Sequence, residues 1–199
     1  MTSPVRVVKV GGSLLRHQPE APAKETAASL TKWIARQSSA VNVLVAGGGE
    51  FAEAIRRADA VYDLGEEVAH WLCVDALSLT ARLLGGIAKA PVVTKVEDIP
   101  SVDPAVCVFD PAPFLRNVEP LQFSASLPHT WAVTSDSIAA RVAESLAASE
   151  LVLLKSCLPG AGAGYVDDCF LVAAAKLPLI RCVNLRSRDF EEITWDSRP

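Results

Sequence analysis

The segment Val7-Val8-Lys9-Val10-Gly11-Gly12-Ser13 constrains this chain more than any other. With Val5 it forms a short apolar, β-branched run, which is the composition of a buried strand. The run stops at two glycines, and glycine lets a backbone turn sharply and approach a ligand closely. A lysine ammonium beside the N–H groups of such a turn makes a concave cationic surface that suits phosphate. Residues 9–13 are therefore read as the floor of a phosphate site.

The chain has 199 residues, of which 50% are hydrophobic and 21% charged, enough for a sizeable core. A net charge of −4 with no basic stripe argues against a nucleic-acid partner. The five cysteines (Cys73, Cys107, Cys157, Cys169 and Cys182) are odd in number, widely spaced and free of any C-x-x-C. A disulfide framework or zinc site is not expected from them, and a reduced, cytoplasmic setting fits. Arg6 and Lys9 interrupt the first apolar run, unlike a signal peptide. No 18 consecutive residues are apolar, so no membrane partner is expected.

The spacing predicts a loop over 16–24, a helix over 23–36 and a strand over 41–46 that ends in Gly47-Gly48-Gly49. A helix over 50–60 follows, so its N-terminus meets the glycine loop and favours an anion there. The longest periodic stretch, 65–84, puts Ala69, Leu72, Cys73, Ala76, Thr80, Leu83 and Leu84 on one predicted helical face. Short buried strands are expected at 92–94 and 106–109, with Pro100, Pro104, Pro111 and Pro113 breaking the chain around them. A helix from Asp136, a strand over 151–154 and a last strand over 179–184 complete the pattern. The charged tail from Arg186 is expected to be peripheral, with Trp195 able to dock it. Alternating strands and helices imply an α/β fold with a mainly parallel sheet and helices on both faces. Ligands in such sheets bind at the C-terminal ends of the strands.

Three loops leave strands at that edge. Lys155 ends the fifth strand, and Ser156 and a glycine-rich stretch containing Gly160, Gly162 and Gly164 follow. A strand-end lysine either snorkels to solvent or points at a ligand. Two of them, each beside a glycine loop, favour phosphate. The sequence has neither G-x-x-x-x-G-K-[ST] nor G-x-G-x-x-G behind a strand. Thr134, Ser135 and Asp136 open a helix, and capping alone accounts for them. A carboxylate at 136 lying between two ammonium groups is compatible with capping, and positioned charge is the main tool of phosphoryl transfer. His70 is read either as a core histidine or as lining a substrate pocket, with His17 and His129 as weaker candidates. No His/Cys/Asp cluster has metal-ligand spacing, so any Mg2+ is expected on nucleotide phosphates and water.

The succession of Val7 to Ser13, then Val43-Leu44-Val45-Ala46-Gly47-Gly48-Gly49, then Thr134-Ser135-Asp136 leading a helix into the strand at 151–154 resembles the amino acid kinase superfamily. That superfamily includes aspartokinase, acetylglutamate kinase and uridylate kinase. The motifs span residues 5–164. Within it, the stretch 47–84, with Ala52, Ile55-Arg56, Glu67, Ala69-His70 and Asp75-Ala76, is similar to the short aspartokinase-like group. That group includes the aminomethylfuran phosphate kinase of methanofuran biosynthesis.

The resemblance implies a three-layer αβα sandwich formed by one domain over 1–199, with ATP and a small-molecule acceptor side by side along the strand ends, and a homodimer. It implies that Lys9 neutralises the transferring phosphoryl group and that Asp136 orients the lysines. Gly11, Gly12, Ser13, Ser156, Gly160, Gly162 and Gly164 would bind the nucleotide. Gly47, Gly48, Gly49, His70, Thr134 and Ser135 would face the acceptor. Two departures stand out. The strand ending in Lys155-Ser156 lacks the Thr-Asp pair that family members often carry there, and no Gly-Gly-Met-x-x-Lys motif follows. Lys155 is expected to replace the missing second lysine. The resulting expectation is an ATP-dependent kinase acting on a phosphate or carboxylate of a small metabolite, in methanofuran or one-carbon cofactor biosynthesis. The alternatives are a non-catalytic nucleotide- or oxyanion-binding protein and a subunit of a larger complex.

Overall fold

The computed structural model describes residues 3–15, 23–99, 105–160 and 164–195. Gly162, His17, Pro100, Pro104 and most of the predicted loop over 16–24 lie outside them. In chain order the elements are β1 (Val5–Val10), α1 (Ala23–Ala35), β2 (Val41–Ala46), α2 (Gly49–Tyr62) and α3 (Glu66–Ala88). There follow β3 (Val92–Val93), β4 (Ala105–Phe109), α4 (Ala112–Asn117), α5 (Glu119–Gln122) and α6 (Ser135–Ser145). The chain continues through β5 (Glu150–Lys155), α7 (Phe170–Ala173), β6 (Ile180–Asn184) and β7 (Glu192–Thr194).

The strands form one sheet in the order β3-β4-β2-β1-β5-β6-β7. All pairs are parallel except β6 with β7. The four central strands β4, β2, β1 and β5 are the apolar runs read from the sequence, because parallel strands covered on both faces must be hydrophobic throughout. Alternate residues of each strand enter different cores. Val8 and Val10 of β1 and Val152 and Leu154 of β5 pack with Leu30 and Trp33 of α1. Val7, Leu151 and Leu153 pack with Ile138 and Val142 of α6. Lys9 and Lys155 have the parity of Val7 and Leu153, so both belong to the α6 side of the sheet.

Three expectations are corrected. Leu72 and Leu83 do not share the buried face of α3; they are 40% and 43% exposed. The buried stripe includes Ala69, His70, Val74, Leu77, Ala81 and Leu84 instead. Ala69 and Ala81 let this helix lie close to its neighbours, while Leu72, Leu79 and Leu83 are turned outward. By length and composition α3 would also pass as a membrane-crossing helix, a test that the core helix of an α/β fold meets as well. The strand expected at 92–94 is a two-residue edge element, half-buried to exposed rather than buried. The C-terminal segment joins the sheet as an exposed edge strand rather than a loose tail, and Trp195 docks it as expected. It returns as antiparallel β7, and Trp195 stacks on Tyr165 at 5.8 Å and meets Phe170 edge-on at 6.2 Å.

Candidate active site

Parallel register sets the site. Lys9 lies opposite Leu153, so Lys155 is one side-chain step further along the neighbouring strand on the same face. The N-terminus of α6 sits above them. Thr134 caps this helix by accepting the Asp136 N–H on its hydroxyl at 3.4 Å, so capping and the functional reading coexist. Asp136, 5% exposed, lies between the two lysines. Its Oδ1 is 2.6 Å from Lys9 Nζ, and its Oδ2 accepts from Lys155 Nζ at 2.9 Å. Both amines therefore contact one carboxylate, as the sequence reading required.

Burial pushes the Asp136 carboxyl upward, and the ammonium groups of Lys9 and Lys155 more than reverse this, holding it below the usual carboxylate range. Lys155 is held below the usual lysine range by burial and then by the charge of Lys9, against the opposing pull of Asp136. Its ammonium also donates to the Tyr165 carbonyl and lies 4.4 Å from the centroid of the Tyr165 ring. Two positive charges share one negative charge here, leaving an unbalanced cationic centre beneath the strand ends.

The β1 and β2 loops meet backbone to backbone over this centre. A Cβ on Gly12 would come within 2.6 Å of the Gly49 nitrogen, and one on Gly47 within 2.5 Å of the Gly12 nitrogen. Contact this close leaves no room for a side chain. It corrects part of the expected role of the glycines. The Gly11 N–H donates to Leu154 O at 2.8 Å and the Gly47 N–H to Val10 O at 2.8 Å, so both are committed to the sheet rather than to a ligand. The N–H groups at the start of α2, at Gly48 and Gly49, have no intrahelical acceptor by helix geometry and remain suited to an anion. Ser13 and Ser156 meet at 3.2 Å between their hydroxyls, joining the β1 and β5 loops. Gly160 and Gly164 are exposed, and a Cβ on either would meet open space, so no close backbone approach demands glycine there.

Beside the lysines lies a cavity of about 200 Å³ between α2, α3 and the start of α6. Gly12, Ser13, Gly48, Gly49, His70, Thr134 and Ser135 line it, as do Val74, Leu77 and Ile138. His70 is buried, stacks on His129 at 5.2 Å, and is held below the ordinary histidine range by burial and then by His129. Sequence reasoning missed Trp131 and Arg56 as parts of this wall. Trp131 donates its indole N–H to Asp59 at 2.9 Å, and Arg56 lies 4.9 Å over its ring while pairing with Glu53. Arg56 stood in a quoted motif, but nothing in the spacing of the two residues shows that α2 and the turn before α6 face each other.

The seven-stranded, mainly parallel sheet with helices on both faces is the amino acid kinase fold that the motifs implied. Three solved structures that resemble the chain are uridylate kinases. That of Bacillus anthracis superposes with a TM-score of 0.63 at 11% identity, covering 98% of this chain and 100% of that one. That of Ureaplasma parvum gives 0.62 at 14%, over 94% and 92%. That of Archaeoglobus fulgidus gives 0.53 at 20%, over 82% and 69%. In sequence, the chain is 23% identical over 151 residues to the [5-(aminomethyl)furan-3-yl]methyl phosphate kinase of Methanocaldococcus jannaschii, a match covering 75% of this chain and 64% of that protein. No family model matches.

Proposed function

We propose that the protein is an ATP-dependent kinase that transfers the γ-phosphoryl group to a phosphate or carboxylate of a small anionic metabolite. The observation that carries this reading is the Lys9–Asp136–Lys155 centre, whose near neighbours in the chain, Ser13 and Ser135, line the cavity. ATP would supply the phosphoryl group. Lys9 and Lys155 would neutralise charge that develops on its oxygens, Asp136 would keep the two amines apart and aimed, and the N–H groups at Gly48 and Gly49 would receive the acceptor's anionic end. The cationic excess fits a polyphosphate. Among the described residues no three His, Cys, Asp or Glu side chains form a metal-binding group, so Mg2+ would be held by phosphate oxygens and water.

The sequence relative acts, by its name, on a furan-ring phosphate. A compact heteroaromatic phosphate is accordingly the first acceptor to try, with His70 and Trp131 as flat walls and Arg56 as a counter-charge. The same reading takes the chain as one cytoplasmic domain without nucleic-acid or membrane partners. It also takes it as a homodimer, for which the outward Leu72, Leu79 and Leu83 of α3 offer an apolar stripe. The test is ADP release with ATP and Mg2+ over a panel of furan phosphates, UMP, amino acids and carboxylates. Turnover on one class is expected. Tight ATP binding by calorimetry with no turnover on any acceptor would favour a nucleotide binder.

A further inference from the structure

Asp167 lies in none of the motifs, yet it is the most heavily bonded carboxylate near the site. Its Oδ2 accepts from the Thr134 N–H at 3.0 Å, the Thr134 hydroxyl at 2.7 Å and the Ser137 N–H at 3.0 Å. Its Oδ1 accepts from the Ser137 hydroxyl and from the Cys169 N–H at 3.2 Å. A residue some thirty positions away thus caps the first turn of α6, where two N–H groups would otherwise lack acceptors. The helix dipole there also favours its charge.

The position of Asp167 in its own segment gives the capping a consequence. Two residues earlier, the Tyr165 carbonyl accepts from Lys155 Nζ. One short segment, 165–167, therefore grips both partners of the Lys155–Asp136 pair: the lysine directly, and the aspartate through the helix that carries it. Tyr165 is held in turn by stacking on Trp195, whose N–H donates to Ile180 O at 2.8 Å and ties it to β6.

We infer that Asp167 is a positioning residue: by capping α6 from across the site it sets the Asp136 carboxylate between the Lys9 and Lys155 ammonium groups. This goes beyond the kinase reading, which does not say what holds those three groups in place. Its geometric core, the placement of Asp136, does not depend on which reaction follows.

The test compares wild type with Asp167→Asn, Ser137→Ala and the control Asp168→Asn, whose exposed side chain caps nothing. Asp167→Asn puts an amide N–H₂ against N–H and O–H donors, whereas Ser137→Ala removes only one hydroxyl bond. The first readout needs no turnover. NMR titration of the Asp136 carboxyl and the Lys155 amine, the latter faced by Lys9, Asp136, Tyr165 and Cys182, should show the carboxyl rising and the amine falling in Asp167→Asn. Ser137→Ala should move both in the same directions by less, and Asp168→Asn should move neither.

The second readout is kinetic. In Asp167→Asn kcat should fall between about tenfold and a hundredfold, the scale of a misplacement near 1 Å, with KM for ATP within about threefold. The alkaline limb of kcat should move to lower pH, because a less supported ammonium loses its proton sooner. Lower thermal stability with unchanged titrations and an unchanged limb would overturn the inference and leave Asp167 a structural cap. If Asp167→Asn does not fold, an unchanged titration in Ser137→Ala overturns it. Shifted titrations in a protein inactive on every acceptor would support the inference while removing the kinase reading.

Discussion

Strand β1 buries a cation at each end, and the two ends are built differently. At its start Arg6, 2% exposed, donates to Glu150 at 2.5 Å, to Asn42 at 3.0 Å, and to the Ser38 carbonyl and hydroxyl. Arg181 donates to the other oxygen of Glu150 at 2.7 Å and to Glu192 at 2.9 Å. Two positive charges meet two negative ones, and each nitrogen of the Arg6 guanidinium donates to a protein acceptor. At the far end Lys9 and Lys155 share one carboxylate beside a cavity. The saturated, charge-balanced cluster reads as structural, since a buried pair survives only when every lone pair and proton is satisfied. The unbalanced cluster suits the anion-binding role proposed above. Two buried cations three residues apart in one strand thus serve different ends, distinguished by what remains unpaired around them.

That contrast can be broken most sharply at Lys9. Lys9→Ala should lower turnover about a hundredfold or more, the typical effect of losing one electrostatic donor to a transition state. Its melting temperature should stay near that of wild type, because Asp136 keeps Lys155. Unimpaired turnover in steady-state assays would remove Lys9 from the mechanism.

Arg6→Met is the reciprocal experiment. It should cost about 3 kcal/mol of stability in denaturant titration, as breaking a buried pair does, while turnover per folded molecule stays unchanged. Its pH dependence sharpens the point. Burial raises the Glu150 carboxyl, and its hydrogen bonds to Arg181 and Arg6 and their charges bring it below its ordinary 4.5. A depressed carboxyl contributes stability that is present above the ordinary value and lost as pH falls through the lowered one. Wild type should therefore lose stability below about pH 4.5 more steeply than Arg6→Met does.

The smallest effect concerns Lys155. Burial and the charge of Lys9 lower the Lys155 pKa, so the alkaline limb of kcat is expected below the ordinary lysine value of 10.5. Activity should fall as pH rises through it. Lys155→Arg, which keeps its proton throughout, should push that limb upward with a modest change in kcat. A limb that does not move would show that Lys155 is not the missing second lysine.

Much of this was legible in the chain itself. The two strand-end lysines beside glycine loops were visible, whereas their shared side of the sheet follows from the register of β1 against β5. The glycines after β1 and β2 and the capping residues before α6 are local choices, dictated by backbone sterics and by orphan helix N–H groups. The burial of α3 was legible only in part: Ala69, Ala76, Thr80 and Leu84 of the expected face are buried, but Leu72 and Leu83 turn outward, and hydrophobicity alone cannot say which apolar residues meet the sheet. The pairing of Gly12 with Gly47, the turn that brings Trp131 over Arg56, and the reach of Asp167 to Thr134 and Ser137 all join residues thirty or more positions apart. Contacts of that kind depend on strand order and crossover geometry, which no local pattern encodes; the fold alone decided them.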